Sequence, residues 1–214
     1  MNRQQAENEI NTIFGQYGSR PNIPIGTGKI YELYCLGMLL EELENSGFTI
    51  SYNGPYIATF KAGPGLIKSS DPHFDLQYLG ITRAQIFLNI EFMTLGSQNA
   101  PFHDRSCYHE LDIVIVEDGV TGRPIFDKIL MGLECKSSAN FGKSIIKETL
   151  GVRREMTLLT NFNDSELTKI NSGWGNQVNC DPNSEYWLCF ADQNGSNYSV
   201  SAEYFSIKLK HWDP

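Results

Sequence analysis

The chain has 214 residues, of which 41% are apolar and 20% charged, and this length and balance predict a single globular domain spanning residues 1–214. The formal net charge of −8 argues against a protein that grips nucleic acid through a general basic excess, but a metal-dependent nuclease with locally clustered basic groups is compatible with it. No apolar run reaches the roughly 18 residues of a membrane span. The five cysteines lack CxxC spacing, so we expect a cytoplasmic protein with no membrane partner, disulfide or structural zinc.

The first half of the chain is predicted to begin with helices and to continue with strands. A short helix over residues 4–14 precedes a Gly/Pro-rich connector over residues 15–28. Leucines at helical spacing predict a long helix over residues 30–44. The turn signal Asn53-Gly54-Pro55 predicts a hairpin of strands 48–52 and 56–60, and further strands are expected over 74–79 and 84–95.

The second half is predicted to place two apolar strands next to a helix. These strands cover residues 110–116 and 129–136, after a loop over 96–108. A helix is expected over 143–159 and a polar loop over 161–184, and the region 185–214 is expected to hold C-terminal strands at 186–191 and 204–209. The fold class predicted by this order is mixed α/β, with a central mixed sheet flanked by helices.

Acidic and basic side chains are placed together on the two apolar strands. Glu134 and Lys136 point to the same face because side chains alternate along a strand, which sets them roughly 7 Å apart at Cα. Asp112 lies at the end of the otherwise apolar run of the preceding strand, where burial of an unpaired charge is costly and requires a compensating cation. Two carboxylates that converge from neighbouring strands offer the hard oxygen ligands that Mg²⁺ prefers, and an ammonium beside them can act on a bound water.

Asp112 and the run Glu134-Cys135-Lys136 resemble the signature of the PD-(D/E)xK nuclease superfamily, an acid on one strand and Glu-x-Lys on the next. The resemblance covers about residues 29–160 and implies a restriction-endonuclease-like core. It further implies that Asp112, Glu134 and the backbone carbonyl of Cys135 ligate Mg²⁺, with Mn²⁺ as a substitute. Lys136 is then the catalytic lysine. Glu32 lies on the helix that resembles the first helix of the family and is an accessory acid. The proline that often precedes the first acid is missing here.

Several readings stay open beside this one. Glu32 is either turned toward the site or extends from the core edge to solvent, and Glu110 is expected to be exposed rather than a ligand. His103, Cys107 and His109 are expected to be loop residues rather than a zinc site. The run Gly26-Thr27-Gly28-Lys29 lacks the full phosphate-loop pattern and is interpreted as the turn into a helix.

The helix after the motif carries the strongest cluster of basic residues. Lys143, Lys147 and Arg154 fall on one helical face with Arg153 adjacent, so they are candidates for contacts to the phosphates of nucleic acid. The alternative is an ordinary cationic surface paired with neighbouring glutamates.

The function predicted from the resemblance is metal-dependent hydrolysis of phosphodiester bonds, most of all in DNA, with a role in restriction or antiviral defence. One alternative is an effector or toxin-like nuclease that acts on RNA or single strands under the control of a partner or signal. Another is a non-catalytic protein-binding module on the same fold. A homodimer or higher oligomer is compatible with all three.

Overall fold

The computed structural model describes residues 2–23, 26–99, 101–137, 140–159 and 180–214. Four α-helices lie within these residues: α1 Arg3–Gln16, α2 Thr27–Asn45, α3 Lys143–Met156 and α4 Ser199–Tyr204. The strands in the same ranges are β1 Arg20–Pro21, β2 Thr49–Asn53, β3 Ile57–Ala58, β4 His73–Tyr78, β5 Ile81–Met93, β6 Tyr108–Glu117, β7 Ile129–Lys136, β8 Leu158–Leu159, β9 Cys180–Asp181, β10 Glu185–Phe190 and β11 Ile207–His211.

The described strands form a seven-stranded central sheet in the order β11-β10-β7-β6-β5-β4-β2. From β2 to β7 each strand runs antiparallel to its neighbour, whereas β7, β10 and β11 are parallel to one another. The sheet is therefore mixed and mostly antiparallel, and its antiparallel half contains the two apolar strands β6 and β7. Two small two-stranded sheets, β1 with β3 and β8 with β9, lie outside it.

Helices cover both faces of the central sheet. Helices α1 and α2 pack on one face, where Leu36 and Leu40 contribute to the same core as Ile113 and Ile115 of β6. Helices α3 and α4 contribute to the core on the other face, together with Val114 of β6. A strand buried on both faces is expected to be apolar at consecutive positions, which explains the composition of β6.

Helix α2 is long and almost wholly buried on one side. Its leucines recur every three or four residues, so they form a stripe that faces the sheet. The helix ends before Gly47, which adopts a φ of 94° that only glycine takes up readily. None of the helices in the described ranges is long and apolar enough to cross a membrane.

The mixed α/β class, the central mixed sheet and its flanking helices confirm the sequence-based prediction. The predicted hairpin around Asn53-Gly54-Pro55 is wrong, because β2 pairs with β4 and β3 pairs with β1. A turn signal locates a reversal of the chain but does not identify the partner of the strand that precedes it. Residues 199–204 form helix α4 just before β11, and most of the predicted loop 161–184 lies outside the described residues.

Candidate active site

The site lies where strands β6 and β7 separate. Their pairing begins at Val116 and Ile129 and ends at Ile113 and Leu133, so the residues beyond the last pair do not share backbone hydrogen bonds. Asp112 is the first β6 residue past that point, and its Oδ2 accepts a hydrogen bond from the backbone N–H of Cys135, at 2.7 Å. The carboxylate thus accepts a hydrogen bond from a backbone N–H that has no partner in the pairing of β6 with β7.

Glu134 and Lys136 lie on the same face of β7, as their spacing predicts. Lys136 Nζ is 3.1 Å from Glu134 Oε2, and the two side chains are 29% and 15% exposed. An ammonium and a carboxylate are therefore held together at the rim of the site, within reach of solvent. Such a position is accessible to a substrate while it limits the screening of the pair by water.

The carboxylates of the site perturb one another. Burial raises the pKa of Glu134 to about 7, and the charge of Asp112 adds to the rise while Lys136 opposes it. Burial also raises the pKa of Asp112, against the hydrogen bond from Cys135 and the charges of Lys136 and Lys29. Burial lowers the pKa of Lys136, but Glu134 outweighs this effect, so the net shift is upward. Acids that resist ionisation in this way favour a cation between them.

Glu32 is buried in helix α2, with 7% of its surface exposed, so it does not extend to solvent. Lys29 Nζ lies 2.8 Å from its carboxylate, and Asn89 Nδ2 donates a hydrogen bond to the same group at 3.2 Å. Burial raises the pKa of Glu32, and the charge of Asp112 contributes to the shift. Glu32 therefore faces the core, within the electrostatic field of the site, and does not extend from the core edge to solvent.

Asn89 completes this network and joins Lys29 to it, and neither residue is among the site residues predicted from the sequence. Asn89 is fully buried in β5 and has a φ of 52°, a left-handed conformation that asparagine tolerates better than most residues. Its Oδ1 accepts a hydrogen bond from Lys29 Nζ at 2.6 Å, and its Nδ2 donates to the carbonyl of Lys61 at 2.8 Å. The strand pairing skips Asn89 and Asp112, which stand opposite each other between regularly paired residues.

A signal for Asn89 was present in the sequence, namely an asparagine within a strand of β-branched and aromatic residues. The sequence pattern around Lys29 predicts only the turn into helix α2 and does not indicate its contacts with Glu32 and Asn89. Glu110 also lies closer to the site than expected. It is half-buried, and burial followed by the charge of Asp112 raises its pKa.

Helix α3 presents part of the predicted basic surface. Lys143, Lys147 and Arg154 are exposed. Arg153 is not part of this surface, and its prediction as a nucleic-acid contact is corrected here, because the residue is only 2% exposed. Its guanidinium donates to the carbonyl of Ser184 at 2.8 Å and to Ser184 Oγ at 2.9 Å, so it joins the end of α3 to the segment before β10.

The donor set at the point where β6 and β7 separate fits a magnesium ion that keeps most of its water ligands. Within the described ranges, no group of three or more His, Cys, Asp or Glu side chains is arranged to hold a metal ion. Mg²⁺ is commonly bound through one or two carboxylates, with waters and substrate oxygens for the rest. Asp112 and Glu134 supply two carboxylates, and the backbone carbonyl of Cys135 lies between Glu134 and Lys136 on the same strand.

The sulfur of Cys135 belongs to a separate environment. Its thiol lies near those of Cys35 of α2 and Cys189 of β10, and burial is the largest cause of its raised pKa. Only the backbone of Cys135 therefore contributes to the candidate active site.

Comparisons of the chain with protein-family profiles, with curated proteins and with solved structures give no match.

Proposed function

We propose that the protein is a magnesium-dependent nuclease of the PD-(D/E)xK type that hydrolyses phosphodiester bonds, with DNA as the favoured substrate. The observation that carries the proposal is that Asp112, Glu134 and Lys136 converge where strands β6 and β7 separate. The mixed sheet with helices on both faces is compatible with a restriction-endonuclease-like core. The same resemblance extends the proposal to a role in restriction or antiviral defence.

Asp112, Glu134 and the carbonyl of Cys135 would hold the Mg²⁺ ion. When bound, Mg²⁺ supplies Lewis-acid polarisation of a phosphoryl oxygen and lowers the pKa of a coordinated water. Asp112 is positioned for this role by the N–H of Cys135, so its carboxylate is fixed relative to the strand that bears Glu134. The elevated pKa values of the two acids indicate that a cation at this position would be favoured electrostatically.

Lys136 is proposed to orient the attacking water and to offset the negative charge that develops on the scissile phosphate. Its ammonium is fixed by Glu134 at 3.1 Å and remains partly exposed, so a phosphate can approach it. Glu32 is the accessory acid, placed near Asp112 by Lys29 and Asn89. Lys143, Lys147 and Arg154 would contact the phosphate backbone beyond the site of cleavage.

The test is incubation of the purified protein with plasmid, linear duplex and single-stranded DNA and with RNA, in Mg²⁺, Mn²⁺ or EDTA. We expect cleavage in either metal and none in EDTA. Asp112→Asn should abolish cleavage, whereas the matched control Asp118→Asn, at an exposed turn, should not. Failure of the wild type to cut any substrate in either metal would overturn the proposal. Cleavage restricted to RNA would favour the effector-like alternative.

A further inference from the structure

A cavity of about 190 Å³ lies directly beside the candidate active site. Its apolar wall includes Leu33, Phe60 and Leu88, and Ala62 lines its accessible side. Polar groups come from Asn22 and Thr59, and charged groups from Lys29, Glu32 and Lys61. A mainly apolar wall with a few polar groups at its rim is typical of a site for a small organic ring system.

The cavity and the active site share a wall. Lys29 and Glu32 line the cavity, and Glu32 also lies in the electrostatic field of Asp112. Asn89 joins two residues of this lining, since it accepts a hydrogen bond from Lys29 and donates one to the backbone carbonyl of Lys61. A group bound in the cavity would therefore lie next to any phosphate held at the acids.

The chemistry of the cavity fits an unpaired nucleobase. The ring of Phe60 is fixed by Phe14 and Phe74, with ring centroids 5.8 Å and 6.5 Å away, so the wall it forms is rigid. A preorganised aromatic wall is a suitable surface for base stacking. The side chain of Lys29 is 29% exposed, and its ammonium, held by Glu32 and Asn89, lies at the boundary with the active site, on the side from which the phosphate attached to that base would approach.

The size of the cavity suits a single base rather than a base pair. Its volume of about 190 Å³ lies below the roughly 300–1,000 Å³ that is typical of pockets for drug-sized ligands. A base within a duplex would first have to leave the stack, and this step carries an unfavourable free energy that a single strand largely avoids.

We propose that this cavity is a subsite for the unpaired base of the nucleotide next to the scissile phosphate, and that the preferred substrate is therefore single-stranded nucleic acid. This inference rests on the proposed nuclease function. It assigns Lys29 to the phosphate of that nucleotide and Phe60 to its base. Lys61, whose ammonium is paired with Asp71, also lines the cavity.

The experiment measures binding rather than cleavage. Fluorescence anisotropy in EDTA at low salt compares a labelled single strand of about ten nucleotides with the duplex of the same sequence. Ala62→Trp fills the cavity from an exposed position outside the proposed catalytic residues, and Ser201→Trp on α4 is the matched control. We expect Ala62→Trp to lower single-strand affinity at least about tenfold, as expected for loss of one stacked base, and to leave duplex affinity unchanged.

A second comparison separates base insertion from phosphate contacts. A single strand that lacks its bases but keeps its phosphates should bind the wild type about as weakly as the intact strand binds Ala62→Trp. Thr59→Trp, on the same exposed rim, should reproduce the effect if Ala62→Trp fails to fold in a thermal melt.

Different results would overturn the subsite and the proposed nuclease function. If Ala62→Trp bound the single strand as tightly as the wild type does, or if the wild type did not bind it at all, the subsite would be overturned. Metal-dependent cleavage would still support the proposed function. A wild type that cuts no nucleic acid in Mg²⁺ or Mn²⁺ would overturn both.

Discussion

The backbone amide of Cys135 donates to the carboxylate of Asp112 at 2.7 Å, across the point where their two strands separate. The hydrogen bond joins one acid of the candidate site to the strand that bears the other. Asp112 and Glu134 are therefore held in a fixed relationship, although no backbone pairing connects the strands at that level. Their mutual repulsion cannot be relieved by simple separation, and this constraint leads to the first two predictions.

Divalent metal should raise the melting temperature of the protein. A cation that binds only the folded state stabilises it by mass action, by about 1.4 kcal/mol at ten times the dissociation constant, or a few degrees for a domain of this length. Thermal melts in Mg²⁺, Mn²⁺ and EDTA measure the shift. Asp112→Asn should lose most of it but melt no lower than the metal-free wild type, because the oxygen of the new side-chain amide still accepts the hydrogen bond from the Cys135 N–H. If metal left the melting temperature of the wild type unchanged and the Asp112→Asn variant unfolded, Asp112 would be identified as a structural residue.

The metal-free protein should become less stable as the pH rises through the range in which Glu134 ionises. The folded state raises the pKa of this group from 4.5 to about 7, so it binds the proton more tightly than the unfolded chain does. The contribution of Glu134 to the free energy of unfolding is thus fully present below about pH 4.5 and is lost as the pH rises toward about 7. Urea unfolding in EDTA across this range should show a shallower loss for Glu134→Gln than for the wild type. An identical slope in that variant, as expected for the exposed control Glu203→Gln, would contradict the assignment.

Replacement of Lys136 with Ala should reduce cleavage by about a hundredfold or more without loss of the fold. The ammonium lies at a partly exposed rim, so its role is to stabilise charge in the transition state rather than to pack the core. Initial rates in Mg²⁺ and thermal melts measure the two effects separately. Lys128→Ala, on the turn that leads into the same strand, is the control and should retain activity. Wild-type rates in Lys136→Ala would remove the lysine from the mechanism.

The exposed basic face of α3 should contribute to affinity for nucleic acid in a salt-dependent manner. Simultaneous replacement of Lys143, Lys147 and Arg154 with Ala removes three candidate phosphate contacts. Each lost contact should take roughly 0.7–0.9 units from the slope of log affinity against log salt. Binding titrations over a range of salt concentrations determine this slope, and no change in it would identify the face as ordinary surface.

Arg153 should behave in the opposite way, although it is adjacent to Arg154 in the sequence. Arg153→Ala leaves the buried acceptors of Ser184 without their donor, and we expect the free energy of unfolding to fall by roughly 3 kcal/mol. Urea unfolding measures this loss. A variant as stable as the wild type but impaired in nucleic-acid binding would return Arg153 to the proposed interface.

The sequence was most informative where local pattern and burial agree. Strand alternation placed Glu134 and Lys136 on one face, and the apolar run of β6 located Asp112 on the neighbouring strand. Asn89 was missed because its role depends on a left-handed conformation at a position where strand pairing is skipped, which is a tertiary property. Arg153 was misassigned because helical spacing indicates which residues share a face but not whether a cation there is buried against the rest of the chain.

The order of strands in the sheet also has a consequence for how the chain folds. Strands β4 to β7 are consecutive in the chain and adjacent in space, whereas β10 pairs with β7 from far along the chain. Closing the longer loop carries a greater entropic penalty, and distant pairings form more slowly. We therefore expect Asp112 and Glu134 to meet in an early folding unit, with β10 and β11 docking afterwards. In pulse-labelled hydrogen exchange, amides of β5 and β6 should gain protection before those of β10.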